Sequence, residues 1–117
     1  GSDPERRMLR ILVDAGLPPP VPQHRVRGRH RTYRLDGAYP DYLVGLEYEG
    51  FDVHSSRTAF DERYERDRAL RVAGWLVIYV THRTTAPRLV DDVLQALRLR
   101  WWPGPPTLPP HLPPPTK

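Results

Sequence analysis

The chain has 117 residues, enough for one domain with its own core. It contains no cysteine, which excludes disulfides and thiolate metal sites; any metal must be held by Asp, Glu, His or backbone oxygens. The formal net charge is +4, and every basic residue except Lys117 is arginine. A guanidinium fork suits phosphate, so nucleic acid is a candidate partner, although a GC-rich genome would produce the same arginine and proline bias.

No apolar run approaches the roughly 18 residues of a membrane span, and no secretory leader opens the chain. The expectation is therefore a cytoplasmic protein with no membrane partner. Gly1-Ser2 reads as a cloning remnant, which would make the chain a fragment of something longer. Ser2 and Glu5 have the spacing of a capping box, and Met8, Leu9, Ile11, Leu12 and Ala15 continue at helical spacing until Gly16 and the prolines 18–20 stop it. Residues 23–27 and 31–35 predict two strands joined by a turn at Gly28, and residues 42–49 a third. On that third strand Leu43, Gly45, Glu47 and Glu49 share one face.

A loop over 50–56 leads to a helix over about 58–73, closed by Gly74. The run from Trp75 to Thr81 is almost wholly apolar, the pattern of a strand buried on both faces. A last helix over 86–99 carries Leu89, Val90, Val93, Leu94 and Leu97 on one side. The order is αβββαβα, which predicts an α/β fold with a central mixed four-stranded sheet flanked by helices. Residues 1–100 form the domain. The remainder, 101–117, is a tail in which eight of the last fifteen residues are proline, expected to be extended or disordered. Trp75 is assigned to the core, and Trp101 and Trp102 are expected to cover the last helix.

Chemistry concentrates between Arg34 and His54. Asp36 is placed at the end of its strand, and Glu47 and Glu49, two residues apart on the next, point the same way. Pairing of those strands would bring three carboxylates together, where mutual repulsion favours protonation unless a cation intervenes. Mg²⁺ or Mn²⁺ is the matching hard cation. His54, just past the strand, has the titration range of a general base or acid. The plainer reading is a solvent-facing polar stripe, with Asp36 capping a turn. Arg25, Arg27, Arg29, His30, Arg31 and Arg34 form a basic hairpin that little acid dilutes, the stronger candidate for nucleic-acid binding. On the helix over 58–73 arginines alternate with acids, the pattern of a self-paired solvated face; DNA contact there, Arg63 included, is the second reading.

Asp36, Pro40, Glu47-Tyr48-Glu49-Gly50 and His54 together resemble the very-short-patch-repair-endonuclease-like branch of the PD-(D/E)xK restriction-endonuclease-like superfamily. The resemblance continues through Arg66-Asp67, Ala69-Leu70 and Ala73-Gly74-Trp75, and upstream through Ser2-x-x-Glu5 and Gly16-Leu17-Pro18-x-Pro20. It spans residues 2–98. It implies a restriction-endonuclease-like fold and Mg²⁺-dependent hydrolysis of DNA, with RNA as an alternative substrate. Asp36 and Glu47 would be metal ligands, with the Tyr48 carbonyl a third. Glu5 matches a helix-borne glutamate placed beside the metal in some relatives, or is only the capping-box residue. His54 matches the histidine after the acidic motif. Arg66 and Asp67 match helix positions beneath the site, where a salt bridge and DNA contact are both open. Glu49 stands at the superfamily's lysine position, leaving water activation to His54, the metal or Glu49 itself. The expected setting is a larger protein whose other domain supplies targeting. The alternative is a catalytically degenerate relative, a DNA- or partner-binding module of a repressor or toxin–antitoxin-type regulator.

Overall fold

A computed structural model describes residues 3–49 and 56–104. Helix α1 (Asp3–Asp14) is followed by strands β1 (Val21–Arg27) and β2 (Thr32–Tyr39), a 3₁₀ turn (Pro40–Tyr42) and β3 (Val44–Tyr48). Helix α2 (Arg57–Val72), strand β4 (Leu76–Val80) and helix α3 (Ala86–Leu99) complete the order. The sheet runs β1-β2-β3-β4, antiparallel across the first two pairings and parallel between β3 and β4, with α2 as the crossover. This is the mixed four-stranded α/β arrangement that the element pattern predicts.

Helices α1 and α3 cover one face of the sheet. Met8 and Leu12 of α1 and Leu89, Val93, Leu94 and Leu97 of α3 pack on Tyr39, Val44, Leu46 and Val80. Helix α2 covers the other face with a thinner core, in which Leu70 and Trp75 meet Val26, Leu35 and Ala38. Ser56 caps α2, accepting from the Ala59 amide, and Thr85 caps α3, accepting from Arg88. Trp102 is buried with the α1–α3 core, whereas Trp101 is largely exposed, so only the second of the two tryptophans covers α3. No helix among the described residues is long and apolar enough to cross a membrane.

Three expectations change. Strand β2 runs on to Tyr39, which places Asp36 inside the strand and not at its end. The small side chains of Gly37 and Ala38 make this possible, since a Cβ on Gly37 would come within 2.8 Å of Leu9 on α1. The third strand starts two residues late. Pro40 opens a 3₁₀ turn, and Leu43, at φ 54°, turns the chain back before Val44. The apolar run 75–81 yields an edge strand and not a central one. Val80 is buried, but Leu76, Val77 and Ile78 are half-buried and Tyr79 is 38% exposed.

Candidate nuclease site

Alternation along β2 breaks at Asp36. Leu35 belongs to the α2-side core, while Gly37, of the same parity, faces Leu9 and Leu46 on the α1 side. The opposing strand carries a matching irregularity, because Gln23 sits between the pairs Pro22↔Gly37 and His24↔Leu35 with φ at 51°. A non-glycine residue in that region is uncommon and costs energy. The β2–β3 ladder ends here too, its last pair being Gly37↔Leu46. Where another backbone bond would follow, the Tyr48 amide donates to Asp36 Oδ2 at 2.7 Å. The carboxylate thus enters a gap opened between two strands.

Glu47 lies across that gap, 9% exposed, its carboxyl in hydrogen-bond contact with that of Asp36. Burial raises the Glu47 pKa to about 7. Arg66 opposes the shift, and the neighbouring Asp36 and Glu49 add to it. The Asp36 pKa is raised as well, again chiefly by burial; the Tyr48 amide and Arg66 pull it down, and Glu5 pushes it up. Arg66 reaches from α2 to Glu47 Oε2 at 2.5 Å and to the Arg34 carbonyl at 2.8 Å. One guanidinium therefore answers both a buried carboxylate and a backbone oxygen of β2. Of the two readings open for Arg66, the salt bridge is the one observed.

The other anticipated residues divide. Glu49 does not join Asp36 and Glu47. Strand β3 ends at Tyr48, and the Glu49 side chain pairs with Arg63 of α2 while its amide bonds the Val80 carbonyl. The expected trio of converging carboxylates is thus a pair, and among the described residues no group of three or more His, Asp or Glu side chains could hold a metal. Glu5 stands near Asp36 and accepts from Gln23 Nε2 at 3.3 Å. Tyr48 contributes its amide to Asp36. Asp67 of α2 accepts from the Tyr79 hydroxyl. Ser2, Gly50 and His54 lie outside the described residues.

Glu47, Glu49, Arg63 and Arg66 line an open cleft of about 530 Å³ between α2 and the sheet, with Arg31 at its hairpin side and Tyr79 at the β4 side. Arg25, Arg27 and Arg34 line an adjoining recess. Arg25 and Arg34 face each other directly across β1 and β2, where like charges repel. Among the described residues no carboxylate pairs with Arg25, Arg27, Arg29, Arg31 or Arg34. Six positions from Arg25 to Arg34, His30 included, thus form a cationic ribbon beside the acidic cleft.

Gln23 is the site residue that sequence reasoning misses. Nothing in the string Val21-Pro22-Gln23-His24 marks a left-handed backbone, and its link to Glu5 exists only once α1 lies beside β1.

The chain is 30% identical over 84 residues to the uncharacterised proteins MT2308 and Rv2248 of Mycobacterium tuberculosis (strains CDC 1551 / Oshkosh and ATCC 25618 / H37Rv, respectively). The matched stretch is 71% of this chain and 28% of each relative, so the chain spans under a third of their length. No family model matches the chain, and no solved structure does.

Proposed function

We propose that this domain is a Mg²⁺- or Mn²⁺-dependent endonuclease of the very-short-patch-repair-endonuclease-like kind, hydrolysing DNA phosphodiesters within a larger protein that supplies targeting. The observation that carries the reading is the contact of Asp36 with Glu47 in the gap between β2 and β3, beside a ribbon of unpaired arginines. Two half-buried carboxyls that resist ionising together are a donor set a hard divalent cation fits. Asp36 and Glu47 would hold the ion, with Glu5 close behind Asp36 and the Tyr48 carbonyl as a further ligand. When bound, the ion would polarise the scissile phosphate and acidify an attacking water.

The chain's own groups have separable duties. The Tyr48 amide fixes Asp36, and Arg66 favours the ionised form of Glu47. Arg25, Arg27, Arg29, Arg31 and Arg34 supply phosphate contacts along the strand, and Arg63 orients Glu49. His54 is the proton-transfer group. Incubating supercoiled plasmid with the protein should give nicked or linear product with Mg²⁺ or Mn²⁺ and none with EDTA, and Asp36→Asn should abolish it. An RNA duplex or hairpin in parallel separates DNA from RNA as substrate.

One observation favours the second reading, a degenerate DNA- or partner-binding module: Arg66 and Arg63 already neutralise Glu47 and Glu49. That reading predicts no cleavage with either metal, no Mn²⁺ binding by calorimetry at millimolar concentration, and DNA binding that survives Asp36→Asn.

A further inference from the structure

A second concavity opens on the opposite face of β3, where α1, the ends of β3 and β4 and the start of α3 meet. Its volume is about 480 Å³, within the roughly 300–1,000 Å³ range of small-ligand sites. The floor is apolar, made by Met8, Ile11, Val80 and Leu89. The rim is cationic: Arg7 from α1 and Arg83 from the β4–α3 connection stand over it, exposed. Neither guanidinium pairs with a described carboxylate, and Asp3, the acid on the rim, is taken by Arg6. The connection is held in shape by its own threonines. The Thr81 amide donates to Thr84 Oγ1 and the Arg83 amide to Thr81 Oγ1, so Arg83 projects from a fixed turn.

An apolar floor under two unpaired arginines matches a ligand with one flat hydrophobic face and one anionic end. A nucleotide has both, but in a duplex its base face is already stacked on its neighbours. Tyr48 lines this cleft and also donates its amide to Asp36, so the cleft and the acidic pair share one residue of β3. We propose that this cleft binds one unpaired nucleotide of a single-stranded DNA segment, its base on the apolar floor and its phosphate between Arg7 and Arg83. The inference rests on the nuclease reading for the identity of the polymer, and it assigns that site a preference for DNA with an unpaired or displaced base.

The test is fluorescence anisotropy in EDTA, where cleavage plays no part, with three labelled probes: a thymidine decamer, the same decamer with every base removed, and a blunt duplex of equal length. The abasic probe should bind at least about tenfold more weakly than the thymidine decamer, the worth of one stacked base. Arg7→Ala combined with Arg83→Ala should weaken decamer binding by about tenfold while duplex binding moves by less than about twofold. Arg25→Ala with Arg27→Ala should show the reverse preference. All four positions are exposed, and circular dichroism verifies that each variant folds. Equal binding of the thymidine and abasic decamers overturns the proposal, as does an equal loss of decamer and duplex binding in the Arg7/Arg83 variant. Decamer binding of the expected pattern without plasmid cleavage supports the cleft and removes only the nuclease reading. Cleavage with no probe discrimination removes only the cleft.

Discussion

The two sides of the sheet are built to different standards. On one, α3 buries six residues along its length and meets α1 over a continuous apolar layer. On the other, α2 is longer yet buries only Leu70, and its first half touches the sheet through Arg63 and Arg66. Apolar contacts are additive and tolerant of small displacements, so the α1–α3 side can carry the stability of the domain. Ion pairs on carboxylates are directional and pH-dependent, and they hold α2 where its arginines govern the acidic cleft. Folding and site chemistry are thus assigned to opposite faces of one sheet.

Leu97→Ala, on the packed side, should produce the largest loss, about 2–5 kcal/mol in urea unfolding. Leu97 is fully buried, so its removal leaves a cavity. A loss under about 1 kcal/mol would mean that the α1–α3 layer is not the stabilising one. Arg66→Met should come next when measured at pH 8. It leaves Glu47 ionised without its counter-charge, at or below the lower end of the roughly 3–5 kcal/mol seen for broken buried pairs, since both side chains retain some exposure. At pH 5.5 Glu47 is largely protonated, so the same variant should lose much less.

The third prediction concerns wild-type protein without added metal. Glu47 is raised from 4.5 to about 7, so the folded state binds more protons than the unfolded state between those values. Its contribution to stability is therefore complete below about 4.5 and lost as pH rises through about 7, by up to roughly 3 kcal/mol. Asp36 is shifted in the same direction. Urea midpoints at pH 5.5 and 8 should show that decline, and Glu47→Gln should flatten it. Mn²⁺ should raise the melting temperature more at pH 8 than at pH 5.5, because it binds the ionised pair. An unchanged midpoint across this range would remove the idea of a strained acidic pair. The smallest effect belongs to the outer surface of α2: Phe60 and Tyr64, edge to face and 54% and 58% exposed, should tolerate Phe60→Ser within about 0.5 kcal/mol. A larger loss would show that α2 has a packing partner beyond the described residues.

The helices were readable because their signals are local. Periodicity, Thr85 and Gly74 bound α3 and α2 to within a residue of their observed limits. Strand β2 was underestimated for a tertiary reason, since Gly37 and Ala38 look like loop residues until α1 is placed against them. Apolar content alone could not tell an edge strand from a central one, because helices cover the faces of β4 whether or not a neighbour pairs its free side. Within the site, the period-two spacing pointed to Asp36 and Glu47. The same spacing overreached at Glu49, where it assumed a strand that continues, whereas β3 stops at Tyr48. Arg66, 19 residues from Glu47, and Gln23, 18 from Glu5, join through topology that no short motif encodes.

The splayed strands at Asp36 also provide a spectroscopic handle. The Tyr48 amide proton points at a carboxylate and not at a backbone carbonyl, so its chemical shift and its exchange with solvent follow the charge on Asp36. In a ¹⁵N-correlated spectrum this one resonance should move with the titration of the acidic pair, and again with a ligand that engages Asp36. The α3 amides, at the far side of the core, should stay still. A domain of this size thus carries an intrinsic single-atom indicator, readable before any substrate is found.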